Sequence, residues 1–224
     1  MIRMTKKQRF AYVMDWFLEN AESSETELHY ANNYQLLVAV ILSAQCTDKR
    51  VNLISPHVFE AFPTPEVMAA SSPDEVFEYI KSCSYPNNKA KNLVGMARKL
   101  VSDFNGEVPS TIDDLLTIPG VGRKTANVML SVAFDLPAMA VDTHVFRVSN
   151  RIGLTDNSRS PLETERELVK YIPEKLLTRA HHWLILHGRY ICFARKPKCG
   201  ICGLRDWCKY YQREVVVGLP QKSE

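Results

Sequence analysis

Thr117-Ile-Pro-Gly-Val-Gly-Arg-Lys-Thr-Ala-Asn-Val-Met129 is the stretch that decides the fold. Just before it, Ser110-Thr-Ile-Asp113 and Thr111-Ile-Asp-Asp114 each offer a hydroxyl followed three residues later by a carboxylate. That pattern starts a helix. A short helix is expected over 112–116, because Pro119 cannot continue it. Gly120 and Gly122 then permit a tight turn and close backbone approach. A second helix is expected over 123–134, and its first N–H groups, unpaired at the positive end of the dipole, suit a phosphate. The plainer reading of Gly-x-Gly alone is an ordinary turn between two packed helices.

Outward from this hairpin the chain reads as helix. Apolar residues recur on a helical period over 9–18, 36–42, 74–80, 90–104, 145–151, 162–171 and 179–190. The second of these is expected to continue through Ser43, Ala44 and Gln45 to a polar C-terminal end. Ser71-Ser-Pro-Asp74 and the Ser160-Pro161 step mark helix starts with proline in the first turn. Period-two alternation is nearly absent, and Val215–Val217 is the one β-branched run. The fold class that follows is all-α.

A chain of 224 residues with 46% apolar residues can build one large domain or two modest ones. The net charge of +3 does not by itself call for a nucleic acid, but its distribution is uneven. Glu19, Glu22, Glu25 and Glu27 crowd the early chain. Arg189, Arg195, Lys196, Lys198, Arg205 and Lys209 crowd the late chain, with Tyr190, Phe193 and Trp207 between them. A basic patch with interleaved aromatics suits nucleic acid, and a solvated face is the bland alternative. The basic first ten residues lack an apolar run behind them, so no export signal is expected. No stretch reaches the length of a membrane span. An intracellular, cytoplasmic chain with reduced thiols is expected.

On the second hairpin helix, Lys124, Asn127 and Ser131 stand at i, i+3 and i+7, a narrow polar strip among Ala126, Val128, Met129, Leu130, Val132 and Ala133. Such a strip grazes solvent or lines a cleft. A lysine at a helix N-terminus has no dipole partner, and burial would further favour the neutral amine that a nucleophile requires. A plain surface lysine remains the alternative. Cys192, Cys199, Cys202 and Cys208 give Cys-x6-Cys-x2-Cys-x5-Cys, a metal site rather than four core thiols. Spacing leaves structural zinc and an iron–sulfur cluster both open. Anchoring both ends of the loop between Cys192 and Cys199 would present Arg195, Lys196 and Lys198 as a fixed phosphate-binding face. Cys46 and Cys83 are expected to be packed or incidental.

Ile118-Pro-Gly-Val-Gly-Arg-Lys-Thr-Ala126 followed by Ala140-Val-Asp-Thr-His-Val-Phe-Arg-Val148 resembles the helix–hairpin–helix DNA glycosylases with a Gly-Pro-Asp-type loop, and among them the endonuclease III family. The resemblance runs from about Glu27 to Tyr210. It includes Leu42-Ser-Ala-Gln-Cys-Thr-Asp48 and His181-His-Trp-Leu-Ile-Leu-His-Gly-Arg-Tyr190. It implies a bifunctional enzyme that excises oxidised pyrimidines from damaged duplex DNA and cuts the abasic strand. In that chemistry Lys124 is the Schiff-base nucleophile and Asp142 the assisting carboxylate. The resemblance also implies a [4Fe–4S] cluster on the four cysteines.

A flipped nucleotide leaves a gap in the stack. The resemblance assigns its filling to Gln45, with Tyr85 as a second wedge. At Tyr85 the family usually has leucine, and at Pro86 tyrosine, a departure that touches opposite-base preference. Gly120, Gly122 and Arg123 would contact DNA through the hairpin, Arg147 through phosphate, and Asp48 and His144 lie at polar positions beside the active site. The implied architecture is a six-helix barrel over residues 25–136, with the hairpin at about 110–134. A cluster domain would take residues 1–24 and 137–211, a tail 212–224, and the catalytic cleft would lie between the domains. A monomer with no membrane association is expected. The rivals are an adenine or mismatch glycosylase on the same scaffold, disfavoured by Lys124 and by the short stretch after Cys208, and a non-enzymatic hairpin DNA-binding module.

Overall fold

A computed structural model of the chain describes residues 4–21 and 26–216, with side chains through Arg213. Glu22, Glu25, Val217 and the rest of the tail lie outside the described residues. The described residues contain helices and turns and no strand, so the fold is all-α. Two compact units divide the chain, Thr26–Leu136 and the combination of Met1–Glu25 with Pro137–Glu224.

The Thr26–Leu136 unit holds α2 (Asn33–Ser43), α3 (Asp48–Ala61), α4 (Pro65–Ala70), α5 (Pro73–Ile80), α6 (Pro86–Phe104), α7 (Ile112–Leu116) and α8 (Arg123–Ala133). Its centre is α2, where Tyr34 and every residue from Leu36 to Leu42 are buried. A helix apolar on all sides is stable only when surrounded, and α3, α6 and α8 pack against it. Full burial of a leucine contributes roughly 1.5–3 kcal/mol, so α2 anchors the core formed with Leu93, Met96, Leu100, Leu115 and Met129. Hydroxyl caps set the helix starts. Thr47, Thr64, Ser72 and Thr111 each accept from a backbone N–H of the first turn, and Pro65 and Pro73 fill the first helical position.

Helices α2, α3 and α4 depart from the sequence expectation, α4 lying outside the segments expected to be helical. Helix α2 stops at Ser43 instead of running through Gln45, whose φ of 54° leaves the helical region. Helix α3 goes unread in the periodicity because Pro56 interrupts it. Its buried face of Val51, Ile54, Ser55 and Val58 holds it against the core despite the lost hydrogen bond.

The second unit holds α1 (Lys6–Asn20), α9 (Thr143–Ile152), α10 (Pro161–Tyr171) and α11 (Leu177–Tyr190). Short 3₁₀ turns follow at Cys199–Ile201 and Arg205–Trp207, then a wide π-helical segment over Tyr211–Val216 that takes in Val215 and Val216. Phe10, Val13, Met14 and Phe17 of α1 join Val145, Val148, Ile152, Trp183 and Leu184 in its core. Phe17 stacks on Trp183 at 5.6 Å, an arrangement that adds about 0.5–1.5 kcal/mol beyond burial. Gly188 lets α11 approach α9, since a Cβ there would lie 2.7 Å from the Cβ of His144.

Candidate functional site

The hairpin forms as its residues dictate. Thr111 caps α7, and the Asp114 carboxylate accepts from the Thr111 hydroxyl at 2.7 Å. Gly120 takes φ of 82°, and a Cβ there would meet the Asn92 side chain at 2.9 Å, so conformation and space both require glycine. Gly122 is different. It caps α8 in extended backbone with nothing within 4 Å of where a Cβ would stand. No packing inside the protein demands a glycine here, and the exposed backbone at the start of α8 is open to an incoming anion.

Lys124 lies exposed in the first turn of α8. The strip expected to run along the helix does not stay polar-facing, because Asn127 and Ser131 are buried. Ser131 spends its hydroxyl on the Val128 carbonyl at 3.1 Å. Only the lysine end of the strip reaches the surface, so the burial considered for Lys124 is absent. Arg123 beside it is also exposed.

Asp142 is the N-cap of α9. Its Oδ1 accepts from the backbone N–H groups of His144 and Val145, each at 2.8 Å, and it is half-buried. Those bonds and the positive helix end fix the carboxylate's orientation. Arg147, one turn on, donates to the Cys192 carbonyl at 3.1 Å and the Gly188 carbonyl at 2.9 Å. Its Nη2 lies 3.2 Å from His144 Nδ1. The arginine expected at phosphate is thus engaged inside its own unit, tying the start of α9 to the cysteine segment.

Gln45 and Tyr85 are both exposed, and both adopt left-handed φ of 54°. For residues with a side chain that conformation costs on the order of 1 kcal/mol or more. Tyr85 precedes Pro86 at the head of α6 and is 63% exposed, so its ring does not pack under its own loop. The two segments are joined: Ser84 Oγ donates to the Gln45 carbonyl at 2.6 Å. Lys89 Nζ donates to the Leu42 carbonyl at 2.8 Å and lies 3.3 Å from Ser84 Oγ. Asp48 sits half-buried in the first turn of α3.

The four clustered cysteines line one cavity together with His187, Ile152 and Leu204. Four thiols lining one cavity fit a polynuclear iron–sulfur cluster, each iron taking one thiolate. Burial pushes the Cys199, Cys202 and Cys208 thiols up, Cys208 to about 11. Thiolates at this depth therefore need a compensating cationic core.

Around the cavity, Arg151 Nη1 donates to the Phe193 carbonyl at 2.6 Å and lies 3.5 Å from Cys192 Sγ. His187 Nε2 is 3.6 Å from Cys202 Sγ. Helix α1 packs against the cysteine segment, where Arg9 donates to the Trp207 carbonyl at 2.9 Å and Tyr12 stacks on Trp207. Gly203 permits that approach, as a Cβ there would stand 2.5 Å from the Trp16 ring. Arg195, Lys196 and Lys198 are exposed on the loop so framed.

Lys89, Arg151 and His187 were not singled out from sequence. Lys89 shares its helix stripe with Leu93, Met96 and Leu100, so its burial was readable in the period. Arg151 follows Arg147 by one turn, which places both on one face of α9. His187 has no comparable signal, because its partners, Trp16 and Phe17 of α1 and Cys202, all lie far from it in sequence.

A family model for the HhH-GPD superfamily base excision DNA repair proteins matches residues 38–174, and one for the iron-sulfur binding domain of endonuclease III matches 192–208. The chain is 50% identical to endonuclease III of Rickettsia felis, over 91% of this chain and 95% of that one. It is 42% identical to endonuclease III of Escherichia coli, over 94% and 99% respectively. Among solved structures, a trapped endonuclease III–DNA covalent intermediate superposes with a TM-score of 0.89 at 42% identity, covering 93% of this chain and 98% of the other. A thermostable thymine-DNA glycosylase superposes at 0.80 with 26% identity, covering 92% and 97%.

Proposed function

The chain belongs to the endonuclease III family of helix–hairpin–helix base excision repair proteins, and from that premise we propose that it excises oxidised pyrimidines with Lys124 as nucleophile and Asp142 as assisting carboxylate. It is a DNA glycosylase and abasic-site lyase with a [4Fe–4S] cluster, and DNA is its partner. The observation that carries the proposal is Lys124 standing exposed two residues after the open backbone of Gly122. A phosphate held at the start of α8 would bring a deoxyribose within reach of the amine.

The Lys124 amine attacks C1′ of the damaged nucleotide, the C1′–N bond breaks, and the base leaves carrying the pair of electrons and a proton. The attached nitrogen loses its proton, the C1′–O4′ bond breaks as O4′ takes up a proton, and the opened sugar is left joined to the lysine as a Schiff base. Removal of a 2′ proton then expels the 3′ phosphate, and water releases the lysine. Asp142, oriented by the His144 and Val145 N–H groups, receives the amine proton and opposes the positive charge that develops on the sugar. Lys124 is exposed, so bound DNA is what excludes water from the amine. The cluster, when bound, supplies a cationic core for Cys192, Cys199, Cys202 and Cys208. Those residues fix the loop of Arg195, Lys196 and Lys198 for phosphate contact.

Gln45 and Tyr85, exposed on joined segments, suit the gap left by an extruded base. Asp48, His144 and Arg147 support the site as positioning residues, and the reading places a monomer on cytoplasmic DNA with no membrane association. The test is a panel of duplexes carrying thymine glycol, an A·8-oxoguanine pair or a G·T mismatch, with borohydride present. Excision and trapping on thymine glycol are expected. Preferential excision of adenine or mismatched thymine without trapping overturns the assignment.

A further inference from the structure

Cys46 and Cys83 stand 37 residues apart in sequence and their sulfurs meet at 3.8 Å. Neither belongs to the cavity of the cluster cysteines. Cys46 follows the C-terminal end of α2, with its N–H bonded to Ser43. Cys83 follows the end of α5, with its N–H bonded to Ile80. Both therefore lie on short connecting segments, where a small backbone adjustment does not disrupt a helix. A disulfide has sulfurs about 2.05 Å apart, so closing the present 3.8 Å requires an approach of under about 2 Å. From the placement of these segments we propose that Cys46 and Cys83 form a reversible disulfide, made by a low-molecular-weight disulfide of the glutathione class, that locks the segments bearing Gln45 and Tyr85.

The two thiols differ in a way that orders the steps. Cys46 is half-exposed and open to a small molecule, whereas Cys83 is buried at 5% exposure. The Cys46 thiolate attacks one sulfur of the small disulfide. That S–S bond breaks, a mixed disulfide forms on Cys46, and one small thiolate departs. Cys83 then loses its proton and attacks Cys46 Sγ, the mixed disulfide breaks, and the second small thiolate leaves. Two protein thiols are oxidised by two electrons, the small disulfide becomes two thiols, and the two protons pass to them. Burial and the neighbouring Cys46 push the Cys83 thiol up to about 11, with the Lys89 ammonium pulling the other way. Burial thereby makes Cys83 the less reactive of the two thiols, so Cys46 meets the small disulfide first.

Closure acts on residues already tied together. Cys46 is the neighbour of Gln45, Cys83 is the neighbour of Ser84, and Ser84 holds the Gln45 carbonyl at 2.6 Å. Drawing the sulfurs together shifts both left-handed residues, Gln45 and Tyr85, from the conformations they hold with free thiols. This consequence rests on the reading of Gln45 and Tyr85 as duplex-contacting residues, whereas the disulfide itself does not.

The experiment equilibrates the cluster-loaded protein with oxidised or reduced glutathione, verifies iron content, then alkylates, digests and weighs the peptides. A Cys46–Cys83 cross-linked peptide is expected only under oxidising conditions. In Cys83→Ser, a glutathione adduct is expected to accumulate on Cys46 instead, and Cys46→Ser, at the half-exposed position, gives a second variant without the cross-link. Full alkylation of both thiols under oxidising conditions, or a glutathione adduct on Cys46 of the unsubstituted protein that never resolves, overturns the proposal. Single-turnover excision should fall roughly tenfold in the cross-linked form, as a misplacement of order 1 Å can produce. It should recover with reductant and stay constant in Cys46→Ser. An unchanged rate in fully cross-linked protein overturns the coupling to the reading segments. Failure of the reduced protein to process any damaged duplex would instead defeat the functional assignment, while the peptide measurement, made without DNA, still decides the disulfide.

Discussion

The ammonium of Lys89 donates to the carbonyl of Leu42 at 2.8 Å, and this bond fastens the start of α6 to the end of the central helix. From there the linkage continues through Ser84 to the Gln45 carbonyl. A buried cation spent on carbonyl and hydroxyl oxygens serves to hold a segment whose backbone is otherwise unfavourable. Lys89→Met should lower the unfolding free energy by about 1 kcal/mol or more, since it leaves the buried Leu42 carbonyl without its donor. Desolvation by burial lowers the Lys89 pKa below its ordinary 10.5. The unfolded chain then binds this proton more tightly, so stability rises with pH between the folded value and 10.5. Urea titrations of both proteins toward alkaline pH should show their difference widening upward through that window. Equal stabilities at every pH would remove the structural role given to Lys89.

Lys124→Ala should abolish borohydride trapping while changing stability by no more than about 0.5 kcal/mol, because the side chain is exposed. DNA affinity should persist. Trapping at the original level would transfer the nucleophile's role elsewhere.

Two glycines of one turn should part company. Gly120→Ala forces a side chain into φ of 82° and against Asn92, and should cost about 1–3 kcal/mol of stability. Gly122→Ala meets nothing within 4 Å, so the fold should be unchanged. Its added methyl should still weaken binding to duplex DNA about five- to tenfold, roughly 1 kcal/mol. Thermal melts and filter binding on both variants separate the cases, and equal behaviour would contradict the division of labour.

Tyr85→Ala should slow excision from a fully paired duplex more than cleavage at a preformed abasic site in an unpaired bubble. Only the first requires a vacated stack to be filled. The 63% exposure of the ring predicts little change in melting temperature. Equal slowing on both substrates would argue against a wedge.

Cys208→Ser should yield protein deficient in iron and lower in melting temperature. The four thiols line one shared cavity, and metal binding contributes directly to folding. Iron analysis and calorimetry check this, with full iron retention as the contrary result.

Much of the site was legible in sequence because its signals are local. Thr111, Pro119, Gly120 and Gly122 set the α7–α8 hairpin within a dozen residues, and α7 falls at 112–116 as its spacing predicts. The Ser72-Pro73 and Ser160-Pro161 starts likewise follow from their own side chains. Helix α4 carries the same Thr-Pro signature at Thr64 and Pro65 and was readable on equal terms. Helix α3 was not, since Pro56 weakens the local preference and only burial of its apolar face restores the helix.

Sequence alone therefore determined the all-α class, the hairpin, the cysteine spacing and the lysine that follows Gly122. Each depends on residues a few positions apart, where backbone sterics and capping operate. Tertiary structure decided what distant residues do to one another. It buried Asn127 and Ser131 while leaving Lys124 exposed, and turned Arg147 onto the Cys192 and Gly188 carbonyls. It brought Cys46 against Cys83 and set Lys89 beneath Gln45 and Tyr85 through Leu42 and Ser84. Those outcomes depend on which helices share a core. No local propensity encodes them, because the free energy that selects them comes from burying apolar surface between segments far apart in the chain.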